Sequence, residues 1–275
     1  MSDKISTVDS VGENKWIQVG DIRTGYRIYG SGDPLLMIMG YGSTMNLWES
    51  GMIDRLAARY KVIIFDNRGM GETEAGSAEF TIEQFADDCA GLLDALGIEK
   101  THVLGWSMGS MIAQQLTLKH PDKVQKLVLY AAECDAEMFP PSSEVMEKIT
   151  DASGTPQERG MRFISVLFPE LWLASNGSRV RGIFFRPMGN IPPENIGKQS
   201  AAIGKWQGCC SRLAELKAPT LLVSGAEDVL VVPDNSRYLS QHIPNARLTL
   251  MDGGGHGVMF QFPEEFCAEV LSFLK

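Results

Sequence analysis

Eight short apolar runs punctuate the chain, and between most of them the hydrophobic spacing changes to that of a helix. The runs are "KWIQV", "IRTGYRIYG", "PLLMIMG", "KVIIFD", "THVLGWS", "KLVLYAA", "PTLLVSG" and "RLTLMDG". The later ones are nearly continuous rather than alternating, as in strands covered on both faces of a parallel sheet. The first two are separated by little more than Gly20-Asp21 and predict an antiparallel hairpin at one edge. "TIEQFADDCAGLLDALG" places Ile82, Phe85, Cys89, Leu92, Leu93 and Leu96 on one helical face, with Thr81 and Gln84 spaced as a capping box and Gly97 as the stop. "SMGSMIAQQLTLKHP" starts at a glycine-rich turn and ends before Pro121, and "PEEFCAEVLSFLK" runs from acid to Lys275 in the order a helix dipole favours. This alternation predicts an α/β chain with a doubly wound, mostly parallel, twisted sheet of eight strands and helices on both faces.

The alternation lapses between about Glu133 and Leu216. The stretch is amphipathic and helix-like, broken by prolines and glycines, with no convincing strand. It predicts a helical insertion over 133–216 that divides a core of residues 1–132 and 217–275.

Composition narrows the partners. The 275 residues suit one large domain or one domain with an insertion. A net charge of −9 argues against nucleic acid and anionic membrane, which are recognised through excess Lys and Arg. "MSDKISTVDS" lacks the apolar region of a signal peptide, and no apolar run approaches the ~20 residues that span a bilayer. Cys89, Cys134, Cys209, Cys210 and Cys267 form no CxxC and show no metal-ligand spacing with His. Reduced thiols in a cytoplasmic protein, a monomer or small homo-oligomer, are the expectation.

Gly105-Trp106-Ser107-Met108-Gly109 matches G-x-S-x-G and lies between a buried strand and a helix. A strand-to-helix turn that sharp strains the serine backbone, leaves no room for side chains at the flanking positions, and exposes the hydroxyl. A serine needs a base. His102 begins the strand leading to Ser107, His120 ends the following helix, and His242 lies on the approach to a strand, so all three fall at the wrong edge. His256 remains, in "MDGGGHGVMFQFP" directly after a strand. The base needs an orienting carboxylate. Asp228 is favoured, just past the strand "PTLLVSG"; Glu227 is the local alternative, and Asp234 reads as a cap of the next helix.

With these pieces in place the chain resembles a serine hydrolase of the α/β-hydrolase fold superfamily over nearly its whole length. The resemblance rests on "GWSMGS", "GAEDVLVVPDNS", "GGGHG" and "FDNRGMGET", the last similar to the family's D-x-R-G-x-G-x-S with Thr73 in place of Ser. It implies that the insertion is a helical cap over the site and that Asp66 and Arg68 form a folding pair. It also implies an oxyanion hole made by the backbone N–H groups of Tyr41 and Met108. Many relatives read His-Gly-x-Gly in the first of these loops; here it is Met39-Gly40-Tyr41-Gly42. A dinucleotide loop is excluded because G-x-G-x-x-G would need glycine where Met45 stands.

The implied reaction is hydrolysis of a small-molecule ester with no cofactor and no metal. "GWSMG" followed by Ser110 is similar to small esterases, lactonases and cofactor-free haloperoxidases or perhydrolases. Perhydrolysis, lactone or carbon–carbon bond hydrolysis, and a small-molecule receptor with a hydrolase pocket stay open. Apolar residues expected to line the pocket are Trp48, Trp106, Val258, Met259, Phe168 and Trp172.

Overall fold

Every apolar run forms a strand of one sheet in the computed structural model, which describes residues 12–275. The N-terminal segment read above for a signal peptide lies outside those residues. The strands are β1 (Lys15–Val19), β2 (Ile22–Tyr29), β3 (Pro34–Ile38), β4 (Lys61–Phe65), β5 (Thr101–Trp106), β6 (Val124–Tyr130), β7 (Thr220–Gly225) and β8 (Ala246–Met251). Their order is β1-β2-β4-β3-β5-β6-β7-β8. The expected hairpin forms the edge, and β2 also runs antiparallel to β4. The other five pairings are parallel, in the register Leu36↔Ile63, Leu36↔Val103, Leu104↔Val128, Val128↔Leu221 and Leu222↔Leu248.

Successive residues of a strand face opposite sides, so the central strands feed two cores. Leu36, Ile38, Val103, Leu127 and Leu129 pack under α2 (Ile82–Ala95), α3 (Met108–Lys119) and α8 (Pro233–His242). Leu35, Met37, Leu104, Val128 and Tyr130 pack under α1 (Ser50–Ala57) and α10 (Pro263–Leu274). The sequence reading did not single out α1; Glu49 caps it by accepting the Met52 N–H, and Met52, Ile53 and Leu56 are its buried residues. Between β6 and β7 come α4 (Ser143–Thr150), α5 (Pro156–Leu167), α6 (Glu170–Phe184), α7 (Pro193–Lys205) and a 3-10 turn, Cys210–Glu215. A four-residue turn, α9 (Val258–Gln261), precedes α10. Among the described residues no helix is long and apolar enough to cross a membrane.

Three local expectations are corrected. The capping box of α2 is one-sided: Thr81 accepts the Gln84 N–H, but the Gln84 amide donates to Asp88 at 3.0 Å. Asp66 and Arg68 do not pair. Arg68, 1% exposed, donates through Nε and Nη2 to both Asp88 oxygens at 2.9 and 2.6 Å, and its Nη1 lies 2.8 Å from Asp21. Asp66 instead accepts the backbone N–H groups of Met45 and Glu72 at 2.6 and 2.8 Å. Neighbouring residues on a sharp turn point apart, and the partners come from the β1–β2 hairpin and α2.

The cysteines give the third correction. Cys134 and Cys210 form a disulfide although 76 positions separate them. β6 and β7 are neighbours in the sheet, so the ends of the helical insertion meet, and the bridge closes its neck. Cys89, Cys209 and Cys267 are free and buried. The thiols therefore no longer argue for a reducing, cytoplasmic compartment.

Two stability measurements check these contacts. Arg68→Met leaves two carboxylates without their cation and lowers the free energy of urea unfolding by about 3 kcal/mol. Cys210→Ser lowers it by about 2–4 kcal/mol, since the bridge closes a long loop in the unfolded chain, and a reducing agent then has no further effect.

Candidate active site

The serine turn is built as the motif requires. Ser107 sits between β5 and α3 at φ 56°, ψ −122°, a left-handed conformation that costs a non-glycine residue about 1–2 kcal/mol. Its N–H donates to the Tyr130 carbonyl at 2.9 Å, and its carbonyl accepts the Ser110 N–H at 2.7 Å. The flanking glycines are steric necessities. A Cβ on Gly105 would lie 2.2 Å from the Gly109 carbonyl oxygen, and one on Gly109 would lie 2.2 Å from that of Ile38. Either would push α3 off the sheet.

His256 and Asp228 meet behind this turn. Asp228 Oδ1 accepts the N–H groups of Leu230 and Val231, both at 2.9 Å, which fixes the carboxylate in the turn after β7. Its Oδ2 lies 2.9 Å from His256 Nδ1. An ionised Asp228 places the proton on Nδ1 and leaves Nε2 as the basic nitrogen. The histidine loop is held from both sides: the Tyr130 hydroxyl donates to the His256 carbonyl at 2.5 Å, and the Gln261 amide bridges Gly255 N–H and the Gly253 carbonyl. The Trp106 and His256 rings are 5.8 Å apart, which sets the imidazole beside the serine turn. Ser107 Oγ and His256 do not hydrogen-bond here; such contacts commonly tighten only when substrate binds.

The other candidates are elsewhere. Glu227 is exposed. Asp234 does not cap α8 but lies in its first turn, 3.5 Å from Arg237. His102 is buried edge-on against Tyr60, His120 faces Asp87, and His242 ends α8 stacked on Tyr238.

The loop after β3 packs directly on the serine turn. A Cβ on Gly40 would lie 3.4 Å from Ser107 Cβ and 3.1 Å from the Trp106 carbonyl oxygen. Neither the Tyr41 N–H nor the Met108 N–H has an acceptor among the described residues. The loop is held without the histidine many relatives carry. Met39 is fully buried and its carbonyl accepts from Asn67 at 3.0 Å. The Gly42 N–H donates to Gln199 of α7 at 2.9 Å, the Thr44 hydroxyl to the Met188 carbonyl at 2.5 Å, and the Met45 N–H to Asp66. Burial outweighs the bonds to Asp66 and pushes its carboxyl up to about 6.

The expected pocket residues belong to one aromatic cluster. Trp48 and Trp106 are buried with rings 6.3 Å apart, and Phe168 stacks on Trp172 at 5.0 Å. Val258 and Met259 are fully enclosed in α9, so they pack the histidine loop rather than present a surface. The insertion reaches this loop through the Leu167 carbonyl, which accepts the Gly257 N–H at 2.8 Å. A cavity of about 310 Å³ lies to one side, lined by Trp48, Arg27 and Arg186 but not by Ser107, Asp228 or His256.

Sequence reasoning missed Tyr130, Asn67, Gln199 and Glu133. Glu133 is 8% exposed near His256 and Asp228, and burial pushes its carboxyl up to about 7. Its only sequence signal is its place just past a strand end.

The strand order, the strained serine and the His–Asp pair on adjacent strand ends are the features of a hydrolytic α/β fold. The family model described as "alpha/beta hydrolase fold" matches residues 33–168. The chain is 31% identical over 256 residues to the "Putative carbamate hydrolase RutD" of Azorhizobium caulinodans, covering 92% of this chain and 96% of that one. It therefore belongs to the α/β-hydrolase family. A hydrolase from Pseudomonas aeruginosa superposes with a TM-score of 0.83 at 25% identity, covering 96% of this chain and 99% of that one. The enol-lactonase from Burkholderia xenovorans shares the fold, with a TM-score of 0.81 at 22% identity over 94% of this chain and 99% of its own.

The raised Glu133 carboxyl has a stability consequence. Its folded-state pKa of about 7 lies above the ordinary 4.5, so the native state holds this proton more tightly than the unfolded chain. That contribution is fully present below about pH 4.5 and is lost as pH rises through about 7. Glu133→Gln removes the penalty: by denaturant titration the variant gains about 2 kcal/mol over the parent at about pH 8, and the gain vanishes near pH 4.5.

Proposed function

We propose that the protein is a carboxylesterase acting on small to medium hydrophobic esters through an acyl-enzyme. One observation carries the reading: a strained, partly accessible Ser107 has two unpaired N–H groups, of Tyr41 and Met108, on the loops beside it, with a buried His256–Asp228 pair behind. Ser107 attacks the ester carbonyl as His256 Nε2 takes its proton. The negative charge on the former carbonyl oxygen falls to the two N–H groups, each contributing about 3 kcal/mol to lowering the barrier. The imidazolium, held by Asp228, protonates the leaving alcohol. Water then enters and attacks the acyl carbonyl as His256 takes its proton, and the imidazolium returns that proton to Ser107 Oγ as the free acid leaves. The helices of 133–216 serve as the cap, and their aromatic residues Phe168 and Trp172 supply the apolar side of the acyl pocket. No nucleic acid or membrane partner enters this scheme.

A second reading, carbamate hydrolysis by the same groups, is favoured by the likeness to the Azorhizobium protein. It differs in the group carried on Ser107, a carbamoyl in place of a carbon-bound acyl, and not in the nucleophile.

A panel of 4-nitrophenyl esters of rising chain length, with a lactone and a carbamate alongside, tests both. Turnover is expected for short and medium acyl chains, with Ser107→Ala lowering kcat by at least about 10⁴-fold. A fluorophosphonate probe should label Ser107. Ester rates equal to those of the Ser107→Ala control would sink the esterase reading, and turnover of the carbamate alone would replace it with the second.

A further inference from the structure

Helix α7 turns two amide side chains inward, and one of them reaches the loop after β3. Asn195, Gln199 and Ala202 are the buried residues of that helix, spaced so that all three fall on one side. Amides are uncommon on a face that packs against a core. Here each meets a main chain. The Asn195 amide donates to the Gly69 carbonyl of the loop after β4 at 2.8 Å, and the Gln199 side-chain carbonyl accepts the Gly42 N–H at 2.9 Å. Just before α7, the Asn190 carbonyl accepts the Gly71 N–H at 2.7 Å, and that of Met188 accepts the Thr44 hydroxyl at 2.5 Å. The helix is thus fastened at several points, and Gln199 is fully buried against the loop.

The bond to Gly42 matters because of the peptide beside it. The Tyr41 N–H belongs to the Gly40–Tyr41 peptide. The peptide before that one is pinned through the Met39 carbonyl, which accepts from Asn67 at 3.0 Å. The peptide after it is pinned through the Gly42 N–H, by Gln199. Its other end, the Tyr41 carbonyl, accepts the Ser43 hydroxyl at 3.2 Å, a local contact that moves with the loop. Packing holds Gly40 but not Gly42. A Cβ on Gly40 would lie 3.1 Å from the Trp106 carbonyl oxygen, whereas one on Gly42 would meet nothing within 4 Å. Gly42 also sits at φ 64°, where glycine moves with little steric restraint. Without an acceptor from α7 the Tyr41–Gly42 peptide is therefore free to turn.

The other half of the Gln199 amide shows what the residue is for. Gly42 can only donate, so the Gln199 oxygen faces it and Nε2 points elsewhere. Among the described residues that buried Nε2 has no acceptor. An orphaned buried donor is destabilising, and a methionine of similar length would avoid it. The fold carries that cost where the oxygen is needed.

We propose that Gln199 is a positioning residue for the oxyanion hole: reaching in from α7, its carbonyl fixes the Tyr41–Gly42 peptide and with it the direction of the Tyr41 N–H beside Ser107. The inference rests on the acyl-transfer reading of Ser107. It makes α7 a working part of the site rather than a cover, since the donor is aligned only while the helix is docked.

The test compares the parent with Gln199→Met and Gln199→Asn, the second keeping an amide but withdrawing it by one methylene. kcat and KM are measured for 4-nitrophenyl butyrate, and inhibition by an alkyl trifluoromethyl ketone is measured alongside. Ser107 Oγ adds to the ketone carbonyl as His256 takes its proton, and the former carbonyl oxygen becomes an oxyanion that calls on the same two N–H groups. Rates are expressed per serine titrated by a fluorophosphonate, and urea unfolding is followed in each protein. Both variants are expected to lose about 30-fold in kcat with KM within about twofold, and to bind the ketone about 30-fold more weakly. If the variants lose titratable serine or urea stability while each remaining site works as the parent's does, or if nothing changes, Gln199 is structural only. Either result overturns the inference and leaves the esterase reading standing. If Ser107 does not label and no ester turns over in the parent, the underlying reading fails and takes this inference with it.

Discussion

Ser107 can hold a left-handed backbone because three main chains meet behind it with nothing between them. The end of β3, the end of β5 and the first turn of α3 approach so closely that a single Cβ at Gly105 or Gly109 would overlap a carbonyl oxygen. That contact does more than strain the serine. It seats the Met39–Gly42 loop against the serine turn and leaves the Tyr41 and Met108 N–H groups unpaired. Tyr130 extends the same frame, since its carbonyl takes the Ser107 N–H and its hydroxyl holds the His256 carbonyl. One residue at the end of β6 therefore couples the candidate nucleophile to the candidate base.

The helices between β6 and β7 are tied into this frame by hydrogen bonds. Gln199 and Met188 hold the loop after β3, and Leu167 holds the loop carrying His256. The Cys134–Cys210 bridge closes the insertion where it leaves and rejoins the sheet. The anchoring polar contacts are single bonds to backbone groups, so small displacements of the insertion would be felt at both loops.

Electrostatic costs are distributed unevenly. Arg68 is buried but satisfied by Asp88 and Asp21, an arrangement that favours a unique packing of the turn after β4. Asp228 is buried but receives two N–H groups and the imidazole. Glu133 has no hydrogen-bond partner for its carboxyl among the described residues, and burial, outweighing the attraction of His256, makes that carboxyl a stability penalty above neutrality. Such penalties concentrate where a site needs charge more than the fold needs stability.

The sequence by itself determined the strands, their mostly parallel arrangement and the place of Ser107, because near-continuous apolar runs and the glycines around the serine are local signals. It also singled out His256 and Asp228, since strand direction alone decides which residues reach the carboxyl edge of the sheet. It missed α1, whose apolar face is only Met52, Ile53 and Leu56 on a short helix. It mispaired Asp66 with Arg68, and it treated Cys134 and Cys210 as separate thiols. These depend on which strands become neighbours, and order in the sheet is not order in the chain. Tertiary structure alone decided that Asn67, Asp66 and Gln199 hold the loop where relatives carry histidine, and that Glu133 lies buried near His256. The physical reason is the same in each case: a side chain's partners, and the polarity around it, are set by elements tens of residues away that meet only when the sheet closes.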